Sequence, residues 1–239
     1  PPLHQARSSP TPFSPRRRDF PGTVGLWGGM TRSRRTVPDE QLRPSRQFCD
    51  KILRKDAQAF LLVFDRQARL IASLTLPELD MKTNGAQGTA LYDAMVAGSV
   101  KLSSQAGRKA LVVLSDGYDT ASSASLATAI ETAQRADALV YSIRFLDRAI
   151  FAFEVPESKG GSPVPHEGRK ALERIAQETG GGYFDLAATD TLDKIYSRIE
   201  DQLRNQYSLG FTPVGTRPGK RKVRVSGTRK GLTVQASEG

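Results

Sequence analysis

The sequence predicts a doubly wound α/β domain, in which helices flank a central and mostly parallel β-sheet. Short apolar segments typical of buried strands alternate with longer segments whose apolar residues recur at helical spacing, and this alternation is the pattern of βαβ units. The clearest short segment, residues 109–114, is apolar on both faces, as a central parallel strand is. A chain of 239 residues, 38% of them hydrophobic, is long enough for one such domain with appendages.

Five segments are predicted to form the parallel strands, and a sixth to form an antiparallel edge. The parallel strands are expected near residues 23–27, 59–64, 109–114, 138–144 and 182–185. Residues 69–74 follow 59–64 after a short polar segment, so we expect a hairpin that places 69–74 at the edge. Helices are expected at about 38–55, 89–102, 125–136, 169–179 and 191–205.

The two ends of the chain differ from its middle. Residues 1–21 are rich in Pro, Ser and Arg and are predicted to be disordered, because they cannot bury enough apolar surface to offset the entropy of the chain. Strand-like segments after Tyr207 break the alternation of strands and helices. The predicted organisation is a disordered segment at 1–21, an α/β domain at 22–207, and a small C-terminal antiparallel β appendage at 208–239.

The charge of +10 is compatible with nucleic-acid binding, but the basic residues are not gathered on one evident face. They cluster at 16–18, 32–35 and 220–224, and acidic and basic residues alternate between these clusters, so a nucleic-acid partner is disfavoured. No run of about 18 apolar residues occurs, and no membrane span is expected. Residues 1–7 lack the apolar core of a signal peptide. The single Cys49 excludes an internal disulfide.

Three loops carry oxygen-bearing side chains where predicted strands end or helices begin. They are residues 28–33, 88–94 and 114–119. Parallel α/β sheets bind ligands beyond the carboxyl ends of their strands, and hydroxyl and carboxylate oxygens suit a hard divalent cation such as Mg²⁺. Taken alone, Thr89 would indicate a helix N-cap and Asp116 an Asp-Gly turn. The side chains expected to converge are those of Thr31, Ser33, Thr89 and Asp116.

Two of these segments carry a specific resemblance. GTALYDA at 88–94, followed by a hydrophobic strand that ends in LSDG at 114–117, is similar to the second and third elements of the metal-ion-dependent adhesion site of von Willebrand factor type A domains. The first element in that family is Asp-x-Ser-x-Ser, with Thr sometimes replacing the first Ser, and residues 29–33 match it except at Gly29. The resemblance covers about 23–207, and the tail at 206–211 resembles that of a bacterial subgroup of proteins related to this domain.

The resemblance implies a Rossmann-like type A domain whose adhesion site holds Mg²⁺, or alternatively Mn²⁺ or Ca²⁺. The four implied ligands are Thr31, Ser33, Thr89 and Asp116. Gly29 stands where the family has an aspartate, so the site is expected to be degenerate and its affinity reduced. Two alternatives to degeneration stay open: an error in the sequence near 27–29, or a displaced carboxylate such as Asp119 that takes over the role. The resemblance also favours an extracytoplasmic or secreted location.

The function that follows from the resemblance is that of a non-enzymatic protein-binding module, used in adhesion or assembly. Its partner would present an Asp or Glu to the metal. Arg32, Arg34 and Arg35 lie beside the first loop and are expected to steer this acidic partner, unless they form only a solvated loop face. The alternatives are a metal-independent structural or assembly subunit of the same fold and, third, a basic nucleic-acid binder.

No enzyme class fits the motifs. The chain contains no nucleophile elbow and no histidine suited to a catalytic triad. Residues 25–30 do not supply the glycine pattern of a dinucleotide-binding fold. An aspartyl-phosphate enzyme would need a second aspartate two residues after Asp116, where Tyr118 stands. We therefore expect no catalysis.

Overall fold

The computed structural model describes residues 22–29, 58–64, 68–73, 89–145, 166–186 and 191–205. The strands of this part of the chain are β1 (Gly22–Gly29), β2 (Gln58–Phe64), β3 (Ala68–Ser73), β4 (Arg108–Ser115), β5 (Ala138–Arg144) and β6 (Tyr183–Asp185). The helices are α1 (Leu91–Ser103), α2 (Leu126–Arg135), α3 (His166–Thr179) and α4 (Leu192–Arg204).

The strands form one sheet in the order β3-β2-β1-β4-β5-β6. All neighbouring strands pair in parallel except β2 and β3, which pair antiparallel. The prediction of a mostly parallel sheet with an antiparallel edge is confirmed, and residues 109–114 lie in its interior as expected. Because β1 pairs with β2 on one side and β4 on the other, the chain reverses its direction of winding there, and such a reversal opens a crevice at the carboxyl ends of the strands.

The hydrophobic core is built around β4, whose residues from Ala110 to Leu114 are at most 3% exposed. Leu111 and Val113 belong to a cluster with buried residues of α1, α2 and α3. Side chains alternate along a strand, so Ala110 and Val112 face the opposite side of the sheet and are buried there. Burial of each Val or Leu side chain of β4 contributes roughly 2 kcal/mol to the stability of the fold. Both faces of this strand are therefore covered, as a doubly wound fold requires.

Three boundaries differ from the prediction by two or three residues. β1 continues through Gly29 instead of ending at residue 27, because Gly28 and Gly29 still pair with the last residues of β2. α1 begins at Leu91 instead of Thr89. α3 begins at His166, three residues before its predicted start. The predicted helix at 38–55, the disordered segment at 1–21 and the appendage at 208–239 lie outside the described residues. Among the helices described here, none is long and apolar enough to cross a membrane.

Candidate functional site

The predicted site lies at the carboxyl ends of β1 and β4, which are neighbours in the sheet. Gly29 is the last residue of β1, and Asp116 follows the last residue of β4 directly. Thr89 stands two residues before α1, the helix that leads into β4. Parallel strands bring their carboxyl ends to one edge, so this arrangement puts Gly29 and Asp116 at the crevice where the winding reverses.

The first turn of α1 is capped by a loop that follows β4. The N-cap residue of α1 is Ala90, which has no side-chain acceptor to offer. Instead, Asp119 Oδ1 accepts the N–H of Tyr92 at 3.2 Å, and Ser122 Oγ accepts the N–H of Asp93 at 3.0 Å. The unpaired N–H groups of a helix start need such acceptors. The interpretation of Thr89 as an N-cap is therefore wrong, because the cap comes from a distant segment.

Further hydrogen bonds join the same two segments, and in most of them the loop after β4 supplies the N–H donors. The Asp93 carboxylate accepts the N–H groups of Ser123 and Ala124 at 2.9 and 2.8 Å. The main chain of Thr89 donates to Thr120 Oγ1 at 2.9 Å, and its carbonyl accepts the N–H groups of Thr120 and Ala121. We call residues 89–93 and 119–124 together the α1 clasp. This clasp holds the segment of Thr89 against the segment that begins at Asp116.

Asp119 takes part in the α1 clasp through three donors. Besides the Tyr92 N–H, it accepts the N–H of Ser122 at 3.3 Å and the Ser122 hydroxyl. A carboxylate has about four acceptor positions, so Oδ2 can still accept once more. The role of Asp119 as the replacement for the aspartate missing at position 29 therefore stays a prediction.

Asp116 opens a tight turn that packs against α3. Its Oδ1 accepts the N–H of Tyr118 at 3.0 Å, so the predicted Asp-Gly turn is present. Gly117 has φ of +88°, and a Cβ at this position would lie 2.2 Å from the carbonyl oxygen of Gly168 in the first turn of α3. A Cβ on Gly168 would lie 2.6 Å from the carbonyl oxygen of Asp116. The position of Asp116 thus depends on glycine in both segments.

The side-chain oxygens of Thr89 and Asp116 are of the kind that bind a hard cation, but they supply only part of a coordination shell. Thr89 is 8% exposed, and its hydroxyl makes no hydrogen bond to any described residue. Asp116 contributes carboxylate oxygens, which Mg²⁺ prefers together with hydroxyls and water. In the described ranges, no group of three or more His, Cys, Asp and Glu residues is arranged to hold a metal. The other two predicted ligands, Thr31 and Ser33, lie outside those ranges.

Of the predicted site residues, the structure describes Thr89 and Asp116. It joins the segments of Thr89 and Asp116 through the α1 clasp. The other predicted ligands and the three arginines expected to contact the partner lie outside the described residues, so their roles stay predictions. They are Thr31, Ser33, Arg32, Arg34 and Arg35.

A second group of charged residues, not predicted from the sequence, lies at the ends of β5 and β6. Arg144 is 3% exposed, and its Nη1 donates to Asp185 Oδ2 at 2.8 Å. The Tyr183 hydroxyl donates to the same carboxylate oxygen at 3.3 Å. Burial, together with Asp185, raises the pKa of Tyr183 to about 12, although Arg144 and Arg169 oppose the shift. No signal of this pair was available in the sequence, because its two partners are 41 positions apart.

Tyr118 is influenced electrostatically by charged residues of both regions. Burial raises the pKa of the Tyr118 phenol, and the negative charges of Glu167 and Asp116 raise it further, while Arg144 lowers it. The phenol therefore lies within the electrostatic reach of both Asp116 and Arg144. Burial and the charge of Asp119 likewise raise the pKa of Tyr92 at the start of α1.

No family model matches the sequence, and no curated protein matches it at a significant level. Solved structures, however, resemble the fold. An aerotolerance-related membrane protein from Bacteroides fragilis is 14% identical, with a TM-score of 0.51 over 77% of this chain and 100% of that one. A von Willebrand factor type A structure from Catenulispora acidiphila is 15% identical, with a TM-score of 0.51 over 77% of this chain and 42% of that one.

A third similar structure is proximal thread matrix protein 1 of the mussel byssus, in a form whose adhesion-site motif is occupied by zinc. It is 13% identical, with a TM-score of 0.50 over 78% of this chain and 46% of that one. At these identities the likeness concerns the fold. The winding order of the sheet, its antiparallel edge and these likenesses agree with the resemblance found in the sequence. The chain has the fold of a von Willebrand factor type A domain.

Proposed function

We propose that this chain is a non-enzymatic protein-binding module, used in adhesion or assembly, that receives an acidic residue of its partner at the carboxyl ends of β1 and β4. The observation that carries the proposal is the α1 clasp. It holds the segment of Thr89 against the loop of Asp116 at the crevice where α/β sheets bind ligands. Loops held in advance lose little conformational entropy on binding, which favours affinity.

A divalent cation would contribute the positive charge that receives the partner's carboxylate. Thr31, Ser33, Thr89 and Asp116 are the residues proposed to hold it. The uncommitted hydroxyl of Thr89 supports this role for that residue. Gly29 leaves the first loop without a carboxylate, so we propose a degenerate site whose affinity for Mg²⁺, Mn²⁺ or Ca²⁺ is reduced.

Arg32, Arg34 and Arg35 would assist the recognition of an acidic partner. Three guanidinium groups near the first loop would raise the local concentration of an acidic ligand and would act less strongly at high salt. They would also offset part of the attraction that the site loses when the metal binds weakly. This assistance predicts that partner binding depends on ionic strength as well as on the metal.

A second function is favoured by the same clasp. Because its hydrogen bonds hold the two segments without any ion, the fold is also suited to a structural or assembly subunit that needs no metal. In that case Asp116 would act through its turn with Tyr118 and not as a ligand. The two functions differ in their response to chelation.

The test is the capture of partners from the source cells on immobilised protein, with Mg²⁺ or with EDTA. Asp116→Ala removes the proposed ligand, and Asp201→Ala, an exposed aspartate on α4, is the matched control. We expect one partner to be retained by wild type and Asp201→Ala, reduced by EDTA and lost with Asp116→Ala. Retention that is insensitive to EDTA but lost with Asp116→Ala would favour the metal-independent subunit. Binding unchanged by EDTA, by Asp116→Ala and by the triple Arg→Ala change at 32, 34 and 35 would contradict the proposed recognition.

A further inference from the structure

Arg144 is a buried cation with only part of its hydrogen-bonding capacity used. Its Nη1 donates to Asp185, while Nε and Nη2 are buried and make no hydrogen bond to a described residue, although the Tyr183 hydroxyl lies close enough to interact with the guanidinium. Buried donors in native proteins almost always have a partner, and leaving a charged one without an acceptor is unfavourable. Within the part of the chain that the structure describes, these two donors have the capacity to bind one more acceptor group.

The free donors lie next to the proposed binding crevice. Arg144 is the register partner of Ser115 on β4 and of Asp185 on β6, so the three residues form a row on one face at the carboxyl end of the sheet. Asp116 follows Ser115 directly, and its loop packs against the first turn of α3 at Gly168. Arg144 thus belongs to the same end of the sheet as the proposed site.

The chemistry of the free edge defines the ligand. The Nε–H and one Nη2–H of a guanidinium point in the same direction and match the two oxygens of a carboxylate in a bidentate pair. Since Asp185 occupies Nη1, a second carboxylate would bind at Nε and Nη2, and it would have to displace the groups that now bury these two nitrogens. The first turn of α3, whose N–H groups lack intrahelical partners, adds positive potential on the same side, although Glu167 opposes it.

We propose that Arg144 is a built-in cation that binds a carboxylate through Nε and Nη2 at the carboxyl end of β5. The inference deepens the proposed function, on which it rests for the acidic partner, since it names a receptor for the acid other than the metal. Two sources share this chemistry: the side chain of an Asp or Glu of a partner, and a free small carboxylate. A buried, water-excluded guanidinium suits this role because its charge is weakly screened.

The test is NMR observation of the Arg144 Nε–H group in the full chain in the presence of EDTA. A buried N–H exchanges slowly, and Arg144→Lys identifies the signal by its disappearance. If that variant does not fold, a nuclear Overhauser contact to Tyr183 assigns the signal in the wild type. Sodium acetate is titrated against sodium chloride at matched ionic strength, and N-acetyl-glutamate amide is titrated in parallel as a mimic of a partner side chain.

We expect a saturable shift of the Nε–H signal with acetate that chloride does not produce. The backbone N–H signals of β5, which are present in both proteins, should show about tenfold weaker acetate binding in Arg144→Lys, because an ammonium cannot form the bidentate pair. A matching shift with the glutamate amide supports the partner as the source. A shift with acetate alone supports the site with a free carboxylate as its ligand. Equal effects of both carboxylates and chloride would overturn the proposal. The titration contains no metal, so its failure leaves the proposed function to be judged by the capture experiment.

Discussion

The carboxyl end of the sheet carries two charged clusters that are built in opposite ways. In the α1 clasp, the carboxylates of Asp93 and Asp119 accept N–H groups from the segment opposite them. At the ends of β5 and β6, Arg144 is buried with one partner, and two of its nitrogens lack an acceptor in the described part of the chain. The clasp joins a segment whose residues 89–91 are buried to a partly exposed segment at 119–124, whereas Arg144 is 3% exposed.

This difference indicates that the first cluster makes the site rigid and that the second is able to bind a ligand. A satisfied network fixes the geometry of the segments it joins, and the carboxylates that form it are already hydrogen-bonded. A buried charge with unused donors gains energy from any acceptor that reaches it. The α1 clasp therefore holds the segments of Thr89 and Asp116 in place. Arg144, by contrast, has two buried N–H donors that lack an acceptor among the described residues and would gain energy by binding one.

The largest effect should come from breaking the buried ion pair. Asp185→Ala leaves the Arg144 guanidinium without its carboxylate, and we expect a loss of about 3–5 kcal/mol in the free energy of unfolding. The double change Arg144→Met with Asp185→Leu removes both charges and should recover most of that loss. Urea unfolding of the three variants checks this. A double variant as unstable as Asp185→Ala would show that the charge is not the cause.

Removal of one half of the α1 clasp should have a smaller effect. Asp93→Ala leaves the N–H groups of Ser123 and Ala124 without their acceptor, but water can reach this region. We expect a loss of about 1–3 kcal/mol. The control Asp201→Ala should stay within about 0.5 kcal/mol of wild type, as exposed surface changes usually do. Identical stabilities of the two variants by urea unfolding would mean that the clasp does not stabilise the fold.

The Arg144 cluster should also respond to alkaline pH. The pKa of Tyr183 is raised to about 12 in the folded state, from an ordinary value of 10.0, so the folded protein holds this proton more tightly. Stability is therefore unaffected below pH 10 by this group and falls as the pH rises from about 10 towards 12, because the unfolded chain ionises first. Tyr183→Phe should reduce that fall and remove one late-ionising phenol from the ultraviolet titration. An unchanged titration curve would contradict the assignment.

The sheet could be predicted from the sequence because burial on both faces leaves continuous apolar segments, as in 109–114. The end of β1 could not, since Gly28 and Gly29 have no apolar side chain to mark a strand and are held by pairing with β2. The site was predictable only as a motif. Thr89 and Asp116 stand out by their spacing, but the capping of Tyr92 by Asp119 joins residues 27 positions apart.

The ion pair of Arg144 and Asp185 was hidden for the same reason. Its partners are 41 positions apart, and neither residue belongs to a recognisable motif. A charged residue at the end of an apolar strand carries no signal of its own until the register of β5 and β6 is known. Sequence patterns therefore located the edge of the sheet where binding is proposed, and the side chains that organise that edge required the structure.

The proposed metal-assisted recognition is tested most directly by restoring the carboxylate that the first loop lacks. Gly29→Asp places an aspartate at the last position of β1, beside the end of β4, where the family has one. Calorimetric titration with Mn²⁺ should show more than about tenfold tighter binding than wild type, because a second anionic group near a dication adds over about 1.4 kcal/mol. The same titration of Asp116→Ala should show no binding. Equal affinity of Gly29→Asp and wild type would contradict a degenerate metal site at this edge of the sheet.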